Sequence, residues 1–264
     1  NVESTRELLR LTVAGRAKVL HHVSTLSVLE KDPFRRSGAA PEVPLDGDPS
    51  GLTGGYRESK WVAERLVQAA IERGVPAAIY RPGWITGSRR TGATNPADFL
   101  IRLIVGSLQT GTAPDLGPIE ICPTPVDWVG AGIAWLSLRP QSIGRVFHLI
   151  NPRPVAFERV LKLLGDLGVP LRKVPVAEWA GTLANLAGSG GSELLEPLED
   201  FLRGLRESAG ASPGRFQPLR FASAATQATL AAGSLECPPV DRGLLESYLS
   251  FFSRQSLLLP GRPR

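Results

Sequence analysis

Two short apolar segments with a helical pattern between them constrain the fold more than any other feature of the sequence. Residues 18–25 (KVLHHVST) and 75–80 (VPAAIY) have the length and apolar content of buried parallel strands. Residues 54–73 carry an apolar stripe at helical spacing, and Gly74 closes that helix. A strand, a helix and a strand in this order form a βαβ unit, which predicts a parallel α/β sheet.

These elements belong to the first of two predicted domains. Residues 1–154 are expected to form the sheet-containing core, and residues 155–264 a smaller, mostly helical substrate lobe to which residues 91–120 contribute. Further elements predicted in the core are a helix at 2–14 ended by Gly15, a loop at 31–55, a helix at 125–138 and a strand at 146–149. Those predicted in the lobe are helices at 157–167, 178–187, 193–206 and 241–254, a strand at 171–177, a flexible link at 188–192 and a loop at 208–215.

Composition excludes several classes of protein. The chain has 264 residues, 42% hydrophobic and 21% charged, as in ordinary globular proteins. No stretch approaches the roughly 20 apolar residues of a membrane span. Cys122 and Cys237 are far apart and no Cys/His cluster exists, so we expect no metal site and a reducing, cytoplasmic environment. The net charge of +5 comes from scattered arginines, which argues against nucleic acid but would help to recruit an anionic partner.

Tyr56 and Lys60 lie four residues apart at the start of a predicted helix, so their side chains share one face. A phenol with an ordinary pKa of about 10 is a poor acid at neutral pH, and a neighbouring ammonium favours its ionised form. Such a pair can protonate the oxyanion that forms when a hydride reaches a carbonyl carbon, and the lysine can hold a ribose hydroxyl of a nicotinamide cofactor. An exposed helix pair without function is the alternative for so short a pattern.

Two further groups follow predicted strands at the same edge of the sheet. Thr25 closes the first strand, and Arg81-Pro82-Gly83 follows the second. Ligands of open α/β sheets bind at the carboxyl ends of the strands, where a hydroxyl can donate to a substrate oxygen as charge develops on it. Pro82 and Gly83 would let the backbone approach a flat ring closely. The alternative for Thr25 is a residue that simply ends or caps the strand.

Three segments in this order resemble the extended short-chain dehydrogenase/reductase family: N-V-x-x-T at 1–5, V-S-T-x-x-V at 23–28 and Y-x-x-x-K at 56–60. The resemblance implies that the catalytic residues are Thr25, Tyr56 and Lys60, with Asn1 supporting a proton relay. It also implies that the residues that bind the cofactor include Ser24, Tyr56, Lys60, Arg81, Pro82 and Gly83.

More specific segments, which span nearly the whole chain, are similar to thioester reductase domains. They are R-P-G-W-I-T-G at 81–87, T-G at 91–92, N-P-A-D-F-L at 95–100, P-V-D-W-V at 125–129, F-H-L-I-N-P at 147–152 and C-P-P-V-D-R-G-L-L-E-S-Y-L-S-F-F at 237–252. Such domains terminate nonribosomal peptide synthetases and polyketide synthases, and carboxylic acid reductases carry one. The resemblance implies NADPH-dependent release of a thioester from a phosphopantetheinyl carrier protein as an aldehyde or alcohol. Trp84 and Phe99 are candidates for lining the acyl pocket, with core packing as the alternative for both aromatic side chains. By analogy with the family, Val126 is expected to contact the nicotinamide side.

The sequence departs from this family in one respect. The glycine-rich turn that seats a pyrophosphate should follow the first strand of the sheet, and no such turn precedes Thr25. Gly188-Ser-Gly-Gly-Ser192 follows a helical pattern and is no substitute. The chain also contains no Met. We therefore expect an incomplete Rossmann-like parallel sheet, a fragment that lacks the N-terminal strands and the glycine-rich turn and that binds its cofactor poorly alone.

Two other functions remain open at this point. Nucleotide-sugar epimerases and dehydratases of the same superfamily typically carry an aromatic residue and a glycine after the first strand, where this chain has Leu29-Glu30. A non-catalytic remnant that only docks a carrier protein would explain the absent turn. Such a remnant would have no chemical need for the set of Thr25, Tyr56 and Lys60.

Overall fold

The structure is a computed structural model that describes residues 1–30, 38–52, 54–96, 98–187 and 220–255. The predicted link at 188–192, helix at 193–206 and loop at 208–215 lie outside the described residues. The described helices are α1 Val2–Val13, α2 Gly55–Glu72, α3 Phe99–Thr110, α4 Val126–Ser137, α5 Phe157–Asp166, α6 Val176–Ala187, α7 Ala224–Ala231 and α8 Arg242–Arg254.

The described strands are short, and most of them pair in twos. They are β1 Leu20–Val23, β2 Ala39–Ala40, β3 Ala77–Pro82, β4 Ile85–Thr86, β5 Thr112–Pro114, β6 Glu120–Ile121, β7 Thr124–Pro125, β8 Val146–Leu149, β9 Val155–Ala156, β10 Arg172–Val174 and β11 Arg220–Phe221. One-turn 3-10 helices follow β1 and α4, at Leu26–Leu29 and Pro140–Ser142. Each element that the sequence predicts within the described residues is present, with ends that shift by a few residues.

The described residues form two compact units. The first contains residues 1–83, 128–152 and 220–237, and the second contains residues 84–127, 153–187 and 238–255. Each unit is therefore built from separate stretches of the chain. In this division residues 84–127, which include the predicted contribution of residues 91–120, group with the later lobe, and residues 220–237 group with the sheet. The domain boundary near residue 154 stays a prediction.

A three-stranded parallel sheet forms the centre of the first unit, with the strand order β1-β3-β8. Helix α2 packs its apolar side on this sheet: Val67 lies with Ala77, Ile79 and Val146, and Ile71 covers the edge of that cluster. Burial of these branched side chains stabilises the βαβ unit, at roughly 2 kcal/mol for each large aliphatic residue. The predicted parallel sheet is confirmed.

Strand β3 extends two residues further than predicted, through Arg81 and Pro82. Proline is tolerated at position 82 because other residues of this part of β3 provide the N–H groups that bond to β8. Ile79 donates to the Arg145 carbonyl and Gly83 to the Leu149 carbonyl, both at 3.0 Å. The absent N–H of Pro82 therefore costs none of these bonds.

Residues 220–237 join the first unit through a short strand and one glutamate. Strand β11 pairs in parallel with β2. The carboxylate of Glu42, which follows β2, accepts from the backbone N–H of His148 and from those of Ala225 and Thr226 at the start of α7. It also accepts from the Thr226 hydroxyl. The sequence had indicated that residues 220–237 belong to the substrate lobe. These bonds explain why they lie in the first unit instead.

The second unit has its own apolar core. It is built by α3, α5, α6 and α8, whose fully buried members include Ile101, Leu103, Leu108, Leu164, Trp179 and Phe252. Strand β5 pairs in parallel with β10, and β6 pairs antiparallel with β9. Helix α8 holds the turn after β4, because the Tyr248 hydroxyl donates to the Gly87 carbonyl and also lies within hydrogen-bond distance of Thr86 Oγ1, both at 2.8 Å.

Candidate functional site

The predicted catalytic residues lie in the first unit, around the carboxyl end of β1 and the first turn of α2. Strand β1 ends at Val23, and the chain continues through Ser24 and Thr25 into the 3-10 helix. Thr25 caps that helix, since its Oγ1 accepts from Ser27 N at 3.2 Å and lies 3.0 Å from Ser27 Oγ. The capping role considered for Thr25 is therefore present, and when Ser27 Oγ is the donor of this pair the half-buried Thr25 hydroxyl can direct its one hydrogen to another acceptor.

Lys60 connects α2 to the end of β1. Its Nζ donates to the Val23 carbonyl at 3.1 Å, two residues before Thr25. Partial burial lowers the pKa of this lysine, because the charged form loses hydration. The remaining N–H groups of the ammonium have no partner within the described ranges, so they can bind a further acceptor.

Tyr56 lies one helical turn before Lys60 and is 59% exposed. The preceding Gly54, at a φ of 96°, lets the chain turn sharply into α2. Asn1 reaches the same turn, since its Nδ2 donates to Ser59 Oγ at 2.9 Å, and Ser59 Oγ donates to the Tyr56 carbonyl at 3.0 Å. Asn1 thus contacts the backbone of the tyrosine's turn through one serine. Its predicted role in a proton relay stays a prediction.

The predicted cofactor-binding residues differ in what they expose. Ser24 is buried, and its hydroxyl has no hydrogen-bond partner within the described ranges. Pro82 is buried as well, and a Cβ on Gly83 would lie 3.0 Å from Ile150 Cγ1. Close packing against Ile150 is therefore one reason for a glycine at position 83. The cofactor contacts of these residues stay predictions.

Arg81 has a different environment from the one its predicted role suggests. Its side chain is completely buried and forms an ion pair with Glu64 of α2. Arg81 Nε donates to both carboxylate oxygens at 3.1 and 3.2 Å, and Nη2 donates to Oε1 at 2.5 Å. Any contact from Arg81 to a cofactor would therefore come from its main chain.

Glu64 and His148 are the polar residues that sequence reasoning missed. His148 is fully buried on β8, opposite Arg81 in the sheet register. Its Nδ1 lies 2.7 Å from the Ala222 carbonyl and can only donate there, which leaves Nε2 to accept from Arg81 Nη1 at 3.1 Å. Burial and, next, the Arg81 charge lower the pKa of His148 to about 3. A glutamate on the apolar stripe of the helix was the available signal, because a buried carboxylate requires a partner.

The three predicted substrate-pocket residues belong to the second unit. Trp84 is half-buried against its core, and its carbonyl accepts from Thr124 N at 2.9 Å. Phe99 begins α3, and its side chain lies outside what the structure describes. Val126 begins α4 and is 41% exposed. Their contacts to a substrate stay predictions.

Over the described ranges, no group of three or more His, Cys, Asp or Glu side chains is arranged to hold a metal ion. Of the helices described, none combines the length and the apolar character needed to cross a bilayer.

Comparison with known proteins identifies the family. The model of an NAD-binding family described as male sterility protein matches residues 1–133 of the 264. The chain belongs to this family. A solved structure, the terminal R domain from the myxalamid PKS-NRPS biosynthetic pathway, is 39% identical with a TM-score of 0.82, over 100% of this chain and 64% of that one. The predicted resemblance to thioester reductase domains of the extended short-chain dehydrogenase/reductase family is confirmed. The predicted partial Rossmann-like α/β fold is confirmed as well.

Two curated relatives are large synthases. Isonitrile lipopeptide synthase from Streptomyces coeruleorubidus is 37% identical over 94% of this chain and 16% of its own length. A linear gramicidin synthase from Brevibacillus parabrevis is 31% identical over 98% of this chain and 5% of its own length. The chain therefore spans only a small part of these relatives. The family supports a nicotinamide cofactor for this chain.

Proposed function

We propose that this chain carries the catalytic residues of an NADPH-dependent reductase that releases a carrier-bound acyl or peptidyl thioester as an aldehyde. A second reduction would convert the aldehyde to an alcohol. The observation that carries this proposal is the bond from Lys60 Nζ to the Val23 carbonyl. It fixes an ammonium at the carboxyl end of β1, beside Thr25 and one helical turn from the exposed phenol of Tyr56.

The residues present fit a nicotinamide cofactor at this edge of the sheet. Lys60 has N–H groups left for the ribose hydroxyls, and the buried Ser24 hydroxyl has no partner within the described ranges. Tyr56 and the main chain of residues 81–83 would complete the contacts. When bound, NADPH supplies the hydride for the reaction.

The side chains of the chain handle the charge and the proton. Tyr56 donates its phenolic proton to the substrate oxygen as that oxygen gains negative charge. Lys60 stabilises the resulting phenolate through its positive charge. Thr25 donates a hydrogen bond to the same oxygen, while Ser27 N holds Thr25 Oγ1 in place. Addition of the hydride to the thioester carbonyl carbon and of the phenolic proton to its oxygen gives a thiohemiacetal. Its C–S bond then breaks, and the products are an aldehyde and the free thiol of the carrier arm.

The proposed partner is a phosphopantetheinyl carrier protein, in a cytoplasmic assembly line. The two synthases described above are similar to this chain over nearly its full length. The net charge of +5 would favour an anionic carrier. Cys122 and Cys237 are both free thiols, as expected for a protein that works in a reducing compartment.

The test is oxidation of NADPH by the purified chain, joined to a glycine-rich strand–turn–helix segment that seats the pyrophosphate, with three substrates offered in parallel. These are an acyl thioester on a phosphopantetheinyl carrier, the same acyl group on coenzyme A and a nucleotide sugar. We expect NADPH oxidation and a trappable aldehyde with the carrier thioester, slower turnover with the coenzyme A thioester and none with the sugar. Turnover of the sugar alone would contradict the proposal. Binding of the carrier without NADPH oxidation would favour a non-catalytic docking module.

A further inference from the structure

A buried group of charges lies directly beneath Lys60. Glu64 follows Lys60 by four residues on α2, so the two side chains occupy the same side of the helix. Glu64 is 0% exposed, and the ion pair between Glu64 and Arg81 is fully enclosed. Gln68, four residues further on, donates to the same carboxylate at 3.2 Å. The carboxylate therefore has partners on the helix and on β3.

Arg81 cannot easily leave this position, because its opposite side is held as well. Its Nη1 donates to His148 Nε2, and His148 Nδ1 donates to the Ala222 carbonyl. The hydrogen bonds run outward from the guanidinium, through His148 to the Ala222 carbonyl on one side and to the Glu64 carboxylate on the other. A bidentate, planar guanidinium fixes the carboxylate in orientation as well as in distance.

This arrangement matters for Lys60 because Glu64 is the carboxylate best placed along α2 to pair with it. A free Glu64 would attract the ammonium away from the end of β1 and neutralise it. Instead, Arg81 takes three hydrogen bonds of the carboxylate, and Lys60 donates to the Val23 carbonyl. His22, on β1, is sensitive to both charges: Glu64 raises its pKa and Lys60 lowers it, while burial has the largest effect. The charges of Lys60 and Glu64 are thus both close enough to His22 to change its pKa.

We propose that Arg81 and Glu64 are positioning residues for Lys60, in which Arg81 holds the Glu64 carboxylate on β3 and so keeps the ammonium of Lys60 free at the carboxyl end of β1. The functional importance of a free Lys60 rests on the reductase function proposed above. The pairing itself is a property of the charges and is measurable without cofactor or substrate.

The experiment measures the pH dependence of labelling of Lys60 by a trace amine-acylating reagent, read by mass spectrometry on the full chain. Lys162, an exposed lysine of the other unit, is the internal reference. Only the neutral amine reacts, so a rise of one unit in the pKa of Lys60 slows its labelling about tenfold at a pH below that pKa. The variants are Arg81→Met, Glu64→Gln and the double variant, with Glu72→Gln, an exposed change on the same helix, as the control.

The expected shifts have opposite signs. In Arg81→Met the released Glu64 carboxylate should raise the pKa of Lys60 and slow labelling about tenfold. In Glu64→Gln the unpaired Arg81 charge should lower that pKa and accelerate labelling severalfold. The double variant and the Glu72→Gln control should label like the parent protein. Replacement of both charges by neutral groups of similar size is usually tolerated, so the double variant should fold even if a single variant does not.

A purely structural role gives a different pattern. Loosened packing would hydrate Lys60 in either single variant and raise its pKa in both. Shifts of the same sign, unchanged labelling in a folded single variant, or a double variant that differs from the parent would each overturn the proposal. If Glu64→Gln alone folds, the direction of its shift decides. Labelling as expected together with no NADPH oxidation on any thioester would refute the reductase function and leave this inference intact.

Discussion

Two histidines of the first unit should make its stability sensitive to mild acid. Burial, as the largest effect, lowers the pKa of His22 to about 4 and that of His148 to about 3. Both imidazoles therefore bind a proton more weakly in the folded state than in the unfolded state, where the pKa is 6.5. Stability is unaffected well above pH 6.5, falls as the pH drops through that value and stops falling below the folded-state pKa.

The expected loss can be worked out for pH 5. Both folded-state pKa values lie below this pH, so the loss of stability is set by protonation of the histidine in the unfolded state. At pH 5 the solution is about 1.5 pH units below the unfolded-state pKa. This corresponds to about 2 kcal/mol for each histidine and about 4 kcal/mol for the two together. Such a loss is a large part of the stability of an ordinary domain.

The assay is urea unfolding of the parent protein and of His22→Gln at about pH 7.5 and about pH 5. Carboxylates also titrate in this range, so the informative quantity is the difference between the two proteins. His22→Gln should lose about 2 kcal/mol less than the parent between these pH values. His21→Gln is the matched control, because His21 is less buried and should leave most of the loss in place. Equal losses in the parent and in His22→Gln would refute the reasoning.

Two further predictions concern stability, each measured by urea unfolding at neutral pH. Gly92→Ala should cost at least about 3 kcal/mol, because φ is 71° and the new Cβ would lie 1.9 Å from the Ser247 carbonyl oxygen. Gly117→Ala, at a φ of 66° with open space around it, should cost only about 1 kcal/mol, and equal costs would contradict the steric explanation. Glu42→Gln should lower the free energy of unfolding by about 1–3 kcal/mol, because it weakens the bonds to His148 N and to the start of α7. Glu72→Gln, the control, should change it by no more than about 0.5 kcal/mol. A Glu42→Gln protein as stable as Glu72→Gln would disprove the bridging role.

The parts of the fold that the sequence predicts are those with a clear period. Helices α2, α5 and α8 have apolar stripes with polar faces, and β1, β3 and β8 are short apolar runs. Helix α3 lies where no element is predicted, although the segment F-L-I-R-L-I-V-G-S-L has the apolar content and the length of a buried helix. The two-residue strands depend on pairing between distant segments, as β2 with β11, and local patterns cannot reveal that.

The residues of the site, like the elements of the fold, are predictable only where a local sequence pattern marks them. Spacing alone places Tyr56 and Lys60 on one face of a helix, and the end of a short apolar run places Thr25 just after β1. Arg81 illustrates the limit, because a strand-end arginine reads as a ligand for a cofactor until its partner is known. That partner, Glu64, is 17 residues earlier in the chain and becomes a neighbour only when α2 folds back on the sheet. Long-range charge pairing of this kind is decided by tertiary structure.

The central claim is that the phenol of Tyr56 donates the proton in a hydride transfer at the end of β1. The most direct measurement is kcat/KM for NADPH-dependent reduction of a carrier-bound thioester by Tyr56→Phe, in the chain joined to the glycine-rich segment, beside Tyr80→Phe as the matched loss of a phenol. Tyr80 is fully buried, and its hydroxyl forms a hydrogen bond with His21 Nδ1. We predict a fall of about 100-fold or more for Tyr56→Phe and a value near that of the parent for Tyr80→Phe. Parent-like kcat/KM in Tyr56→Phe would contradict the account.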